Sequence, residues 1–215
     1  MLLFLIFPLV LLPGLFWLYH FYLQDRKQPE PLSLVLLAFG LGGLMVAPTG
    51  LLEFYLGQLV DPERQLNIFL LLGLLEESFK LLPVLIYFYP RDEFDEAVDG
   101  IIYSVAAGLG FAVVENMLYT LVYGLQTGLL RSLITTLAHA GFSGIAGFFL
   151  GRALLTVKWE RALFLILTGL LVAGTMHGVY NYLLFMDYLA SGLLVGVIFL
   201  LYLFLVSLIR LAIYR

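Results

Sequence analysis

Eight side chains in this 215-residue sequence can do acid–base or metal chemistry yet stand among apolar neighbours. Glu76, Glu77 and Lys80 share one apolar run, Glu115 and Asn116 a second, His139 a third, and His177 with Asn181 a fourth. An ionisable group inside a membrane span is costly, so it points to function by default. Lys80 lies one helical turn from both glutamates and can neutralise either one. Glu76 and Glu77 project about 100° apart on a helix, so one can face a reaction centre while the other ties helices together. His177 and Asn181 share a helix face. Two chemistries fit such a set. The residues could hold a divalent metal such as Zn and activate a water, with a glutamate as base. Alternatively, a glutamate could activate the water directly, helped by histidine, with Asn181 as oxyanion donor.

The elements that must position these groups are apolar helices. Hydrophobic residues make up 62% of the chain and charged residues only 12%, against about half and about a quarter in soluble domains. Seven segments are long enough to span a bilayer: 1–23, 32–58, 66–89, 98–123, 130–155, 161–186 and 189–210. The first is read as a retained helix rather than a signal peptide, because no Lys or Arg precedes it and no small-residue cleavage site follows. The expected fold is therefore all-α, a polytopic transmembrane helix bundle forming one domain over 1–215, with a catalytic core at about 66–186. Short polar separators fall at 24–31, 60–65, 90–97 and 156–160, with a Gly-flanked turn at 124–129 and a tight turn near Asp187. Glycines at 40, 42, 43, 108, 110, 144, 147, 151, 174, 178, 192 and 196 are expected to serve close helix packing.

Arg26, Lys27, Arg91, Arg152, Lys158, Arg161, Arg210 and Arg215 fall on one side of the seven spans, and only Arg64 and Arg131 on the other. The positive-inside rule then puts the C-terminus in the cytoplasm. Counted from the outer edges, Glu76, Glu115, His139 and His177 all lie roughly 12–15 Å deep at 1.5 Å per residue. Four residues from four helices thus share one level, at the midplane or slightly outward of it. Other polar groups have plainer readings. His20 is interfacial, Glu53 reaches the headgroups, and Asp95 and Glu96 cap the fourth span. Either histidine by itself could be a packing residue. The net charge of −4 argues against nucleic-acid binding. With no cysteine, disulfides, thiolate metal sites and a cysteine nucleophile are excluded.

The ordered set resembles the PrsW family, bacterial intramembrane proteases that make the first cut in an anti-sigma factor and are grouped with the CAAX-processing and bacteriocin-immunity proteases. The resemblance rests on Glu76-Glu77-Ser78-Phe79-Lys80, on Asp95 with Asp99-Gly100-Ile101-Ile102-Tyr103, on Phe111 through Glu115-Asn116, on His139, and on His177 with Asn181. It implies that Glu76 and Glu77 are catalytic, that His177 is the main catalytic imidazole, and that Asn181 stabilises the oxyanion. Lys80, Glu115, Asn116 and His139 complete the implied site. A metal would fall to His139, His177 and Glu115. The CAAX-type relatives carry histidine where this chain has Glu115, and they are described both as glutamate-type and as metal-dependent enzymes. The implied partners are a membrane-anchored protein substrate, an anti-sigma factor first, and the lipid bilayer of a bacterial cell membrane. A proton-coupled transporter or a non-catalytic peptide-binding membrane protein are the competing readings. The transporter reading is weakened because the Glu76–Lys80 segment has no counterpart in the second half.

Overall fold

The structure is a computed structural model, and it describes residues 2–59, 65–186 and 191–214. Every described element is helical: α1 (Leu2–Tyr22), α2 (Leu32–Leu44), α3 (Val46–Leu59), α4 (Gln65–Pro83), a π-helical turn (Val84–Phe88), α5 (Ala97–Tyr123), α6 (Leu125–Leu154), α7 (Trp159–Phe185) and α8 (Ser191–Ile213). Among the described residues, five segments are long and apolar enough to cross a membrane: Leu32–Gln58, Ala97–Tyr123, Leu125–Leu154, Trp159–Phe185 and Gly192–Ile213. Phe7–Tyr22 is a shorter apolar helix, and α4 is the helix that carries Glu76, Glu77 and Lys80. This is the all-α multi-pass bundle that the hydropathy pattern implies. The separators at 60–64 and near Asp187 lie outside the described residues.

Three helix boundaries differ from the pattern, each for a local reason. The second span breaks at Met45 into α2 and α3. Pro48 causes this, because its ring would clash with the carbonyl of Leu44 and it has no N–H to offer there. The third span changes pitch after Pro83, where Tyr89 N–H donates to the Val84 carbonyl at 2.9 Å, five residues back. The turn expected at 124–129 shrinks to one residue. Gly124 takes φ 90°, a backbone state open to glycine, and α6 begins at Leu125. Of the two residues expected to cap α5, Glu96 does so, as the N-cap of a capping box whose third residue is Asp99. Asp99 Oδ2 accepts the backbone N–H groups of Glu96 at 2.6 Å and Asp95 at 2.9 Å, while the Asp95 side chain is exposed.

Helix α5 forms the axis of the bundle, being 94% buried along its apolar window against 28% for α7 and for α8. It packs lengthwise on α6 and on α2, and α4 packs on α7. A Cβ on Gly147 would collide with the Gly100 carbonyl, and one on Gly151 with the Ala97 carbonyl. The α5 and α6 backbones therefore touch, which only small residues allow. Gly73 stands in the same relation to Gly174 and Gly178 across α4 and α7. Gly40, Gly192 and Gly196 have nothing within 4 Å of an added Cβ among the described residues, so no close helix crossing is seen at them there. Large apolar side chains such as Phe16, Val122, Phe164 and Leu200 stand exposed on the outside, as contact with lipid requires.

Candidate active site

Helix α4 brings Glu76, Glu77 and Lys80 into the core, at 6%, 1% and 1% exposure. One helical turn separates them, so Lys80 Nζ reaches Glu77 Oε1 at 2.8 Å and Glu76 Oε2 at 3.2 Å. The same ammonium lies 2.9 Å from His139 Nδ1 and 3.5 Å from His177 Nδ1. Lys80 is thus the positive charge at the centre of two carboxylates and two imidazoles. Phe111 covers it, with Nζ 4.5 Å from the ring centroid.

The two glutamates have different surroundings. Glu77 is fully engaged. Oε1 accepts from Lys80 and from His177 Nδ1 at 2.9 Å, and Oε2 accepts from Ser143 Oγ at 3.0 Å. It ties α4 to α6 and α7. A carboxylate can only accept, so His177 carries its proton on Nδ1 and presents the Nε2 lone pair to the other side. Glu76 Oε2 lies there, 3.7 Å from His177 Nε2. Phe142 stacks on the His177 ring at 4.9 Å.

Glu115 enters from α5. Oε1 accepts from Arg131 Nη2 at 2.9 Å. Oε2 lies 3.2 Å from His139 Nε2 but is not aligned for a hydrogen bond, and it is buried without a hydrogen-bond partner among the described residues. Asn116 is fully buried and spent on structure: Oδ1 accepts from Arg131 Nε and Thr135 Oγ1, and Nδ2 donates to Thr136 Oγ1. It holds α5 to α6 and aims Arg131, whose guanidinium also covers Tyr119 at 3.6 Å. Asn181 is half-buried, one turn along α7 from His177.

Glu76, His139 and His177 each offer a donor atom, all within 4.8 Å of one another. Two imidazoles and one carboxylate form a donor set that Zn2+ takes in catalytic sites. Glu77 behind His177 supplies the carboxylate partner that orients a ligating histidine. The residues therefore fit a divalent metal. Glu76 takes the place expected for Glu115 in that set, since Glu115 faces His139 alone.

Two participants escaped the sequence reading. Arg131 counts there only as a charge at the outer end of the fifth span, but Gly124 makes α5 and α6 a tight antiparallel hairpin. Residues equidistant from that glycine meet, as Thr120 meets Gly128, and Arg131 lands beside Glu115 and Asn116. Glu53 on α3 is half-buried and within electrostatic reach of Glu76, Glu115 and Lys80. His20 is structural, with Nε2 3.1 Å from the Tyr202 hydroxyl on α8.

Fold and site together define a multi-pass membrane protein with a buried glutamate–histidine centre fit for a metal. Comparison with known proteins supplies the family. The model of the PrsW family of intramembrane metalloproteases matches residues 30–209. A Protease PrsW from Geobacillus kaustophilus is 40% identical over 175 residues, covering 80% of this chain and 76% of that protein. The Protease PrsW of Bacillus subtilis is 34% identical, covering 80% and 79%, and that of Clostridioides difficile 29%, covering 86% and 80%. No solved structure matches. The chain belongs to the PrsW family and is an intramembrane protease, which sets aside the transporter and binding-only readings.

Proposed function

We propose that this chain hydrolyses a peptide bond in a membrane-anchored protein, with an anti-sigma factor as substrate and the outer half of the membrane as the place of the cut. The observation that carries the reading is the convergence of Glu76, His139 and His177 within 4.8 Å, backed by Glu77. These three residues would hold a divalent ion such as Zn2+, which when bound lowers the pKa of a water and polarises a carbonyl. The other tasks fall to side chains. Glu77, already accepting three hydrogen bonds, orients His177 and takes no proton. Glu115 Oε2, buried and without a hydrogen-bond partner among the described residues, accepts the proton of the attacking water and returns it to the leaving amine. Arg131 steadies the other Glu115 oxygen. Asn181 donates its amide to the developing oxyanion. Lys80 keeps the paired carboxylates neutralised in a dry interior.

A lateral crevice supports the substrate class. It holds about 470 Å³ and is lined by Phe142, Met176, Val179, Tyr180, Leu201 and Phe204 among others, and Phe142 stacks on His177. An apolar segment of a membrane-anchored substrate can approach the cluster along it. The test uses purified enzyme with single-span reporters, one of them an anti-sigma factor, with and without chelator. Cleavage is expected to require the metal, to favour the anti-sigma reporter, and to vanish in Glu76→Ala, Glu77→Ala and His177→Ala. Full activity in all three variants, or cleavage indifferent to thorough chelation, would overturn the reading.

A further inference from the structure

A second group of carboxylates lies at the other end of α5. Asp99 and Glu115 are sixteen residues apart on that helix, or about 24 Å at 1.5 Å per residue. Asp25, from the connection between α1 and α2, meets Glu96 and Asp99 at the start of α5. Each offers an oxygen, and all lie within 4.8 Å of one another. Glu30 packs beside Asp99 and accepts the Tyr103 hydroxyl. Asp25, Glu30 and Asp99 are 3%, 5% and 0% exposed.

The hydrogen bonds leave part of this charge unanswered. Asp99 Oδ2 serves the α5 cap, and Asp25 Oδ1 accepts the Lys27 backbone N–H at 3.2 Å. Asp25 Oδ2 and Asp99 Oδ1 are buried with no hydrogen-bond partner among the described residues. Of the nearby cations, Arg26 is exposed and makes no ion pair with these carboxylates among the described residues, and two others are engaged elsewhere. Lys27 Nζ donates to the Ile213 carbonyl at 3.1 Å and sits over Tyr214, and Arg91 pairs with Glu93. Buried carboxylates without a countercharge are strongly unfavourable. A cation between them would answer both orphaned oxygens at once. The donors are all oxygen, which suits hard cations and contrasts with the histidine-containing cluster.

We propose that Asp25, Glu96 and Asp99, with Glu30 alongside, form a second metal site that takes a hard divalent cation, Mg2+ or Ca2+. The ion links the α1–α2 connection to the start of α5, the helix whose far end carries Glu115. The site is independent of the protease centre, so its test reads ion binding rather than cleavage.

The full chain, purified in detergent and stripped of metal, is titrated with Mg2+ alone and with Ca2+ alone. Calorimetry measures binding and thermal unfolding measures stability. One saturable site is expected for at least one ion, together with a higher unfolding temperature, and the two arms identify the ion. Asp25→Asn should weaken that site by at least about tenfold, since ligand charge sets affinity. His177→Ala, which disables the other cluster, should leave it unchanged. Glu96→Gln, at a partly exposed position, serves the same purpose if Asp25→Asn does not fold. Absence of saturable binding for both ions would overturn the proposal and leave shared protons as the answer to the buried charge. So would binding that survives both substitutions.

Discussion

Glu115→Gln is the sharpest test of how the site divides its labour. The substitution keeps the shape of the side chain and an oxygen for Arg131 Nη2, now 2.9 Å from Oε1. Arg131 stays anchored through Asn116 Oδ1 at 3.2 Å, so the geometry around position 115 should persist. The Arg131–Glu115 pair is mostly buried, at 22% and 19% exposure, but the amide that replaces the carboxylate keeps one acceptor for Arg131 Nη2, and an unfolding temperature in detergent checks the fold of the variant. Folding should therefore change little. What the variant loses is the proton acceptor at Oε2. General-base catalysis contributes about 10²–10⁴-fold, equivalent to roughly 3–5 kcal/mol of barrier at 1.36 kcal/mol per decade. The expectation is a fall of that size in single-turnover cleavage of a single-span reporter, with metal stoichiometry unchanged. Glu76→Gln should instead lose metal and cleavage together. Cleavage by Glu115→Gln within a few-fold of the parent would refute the base assignment. Loss of its metal would refute the division between ligand and base.

Four further outcomes follow from the same geometry. Glu77→Gln removes the acceptor behind His177 Nδ1, so metal affinity should fall about 10–100-fold, read by chelator competition, and excess metal should restore part of the cleavage. Unchanged affinity with no cleavage would instead make Glu77 the base. Lys80→Met leaves two buried carboxylates without their counterion and should destabilise by about 3–5 kcal/mol, measured as a lower unfolding temperature in detergent, whereas an unchanged temperature would mean that the pair does not need the ammonium. Gly147→Val sets a side chain against the Gly100 carbonyl and should cost about 1–3 kcal/mol as an overpacking change; Gly192→Ala, with nothing within 4 Å, should be neutral or stabilising by at most about 1 kcal/mol.

Much of this protein is determined locally and can be read from the chain alone. Apolar runs of span length dictate membrane helices, because lipid offers no partner for an unpaired backbone group. Glu76, Glu77, Lys80, Glu115, His139 and His177 declare themselves as anomalies in those runs, and one rise per residue is enough to place four of them at a common depth. Depth, however, says nothing of direction around a helix axis. Only the tertiary structure decides that Glu77 turns to His177 and Ser143 while Glu76 joins the two imidazoles, because helix rotation is set by packing at Gly73, Gly174 and Gly178. The roles of Arg131 and Asn116 depend on the register of the α5–α6 hairpin, which follows from a one-residue turn at Gly124. Asp25 and Asp99 are far apart in sequence and unremarked as a pair, since the packing of α1 against α5 alone brings their unanswered oxygens together. Local composition thus names the elements and the chemically active residues. Helix rotation, register and the meeting of distant connections are properties of packing, and they decide which partner each residue faces.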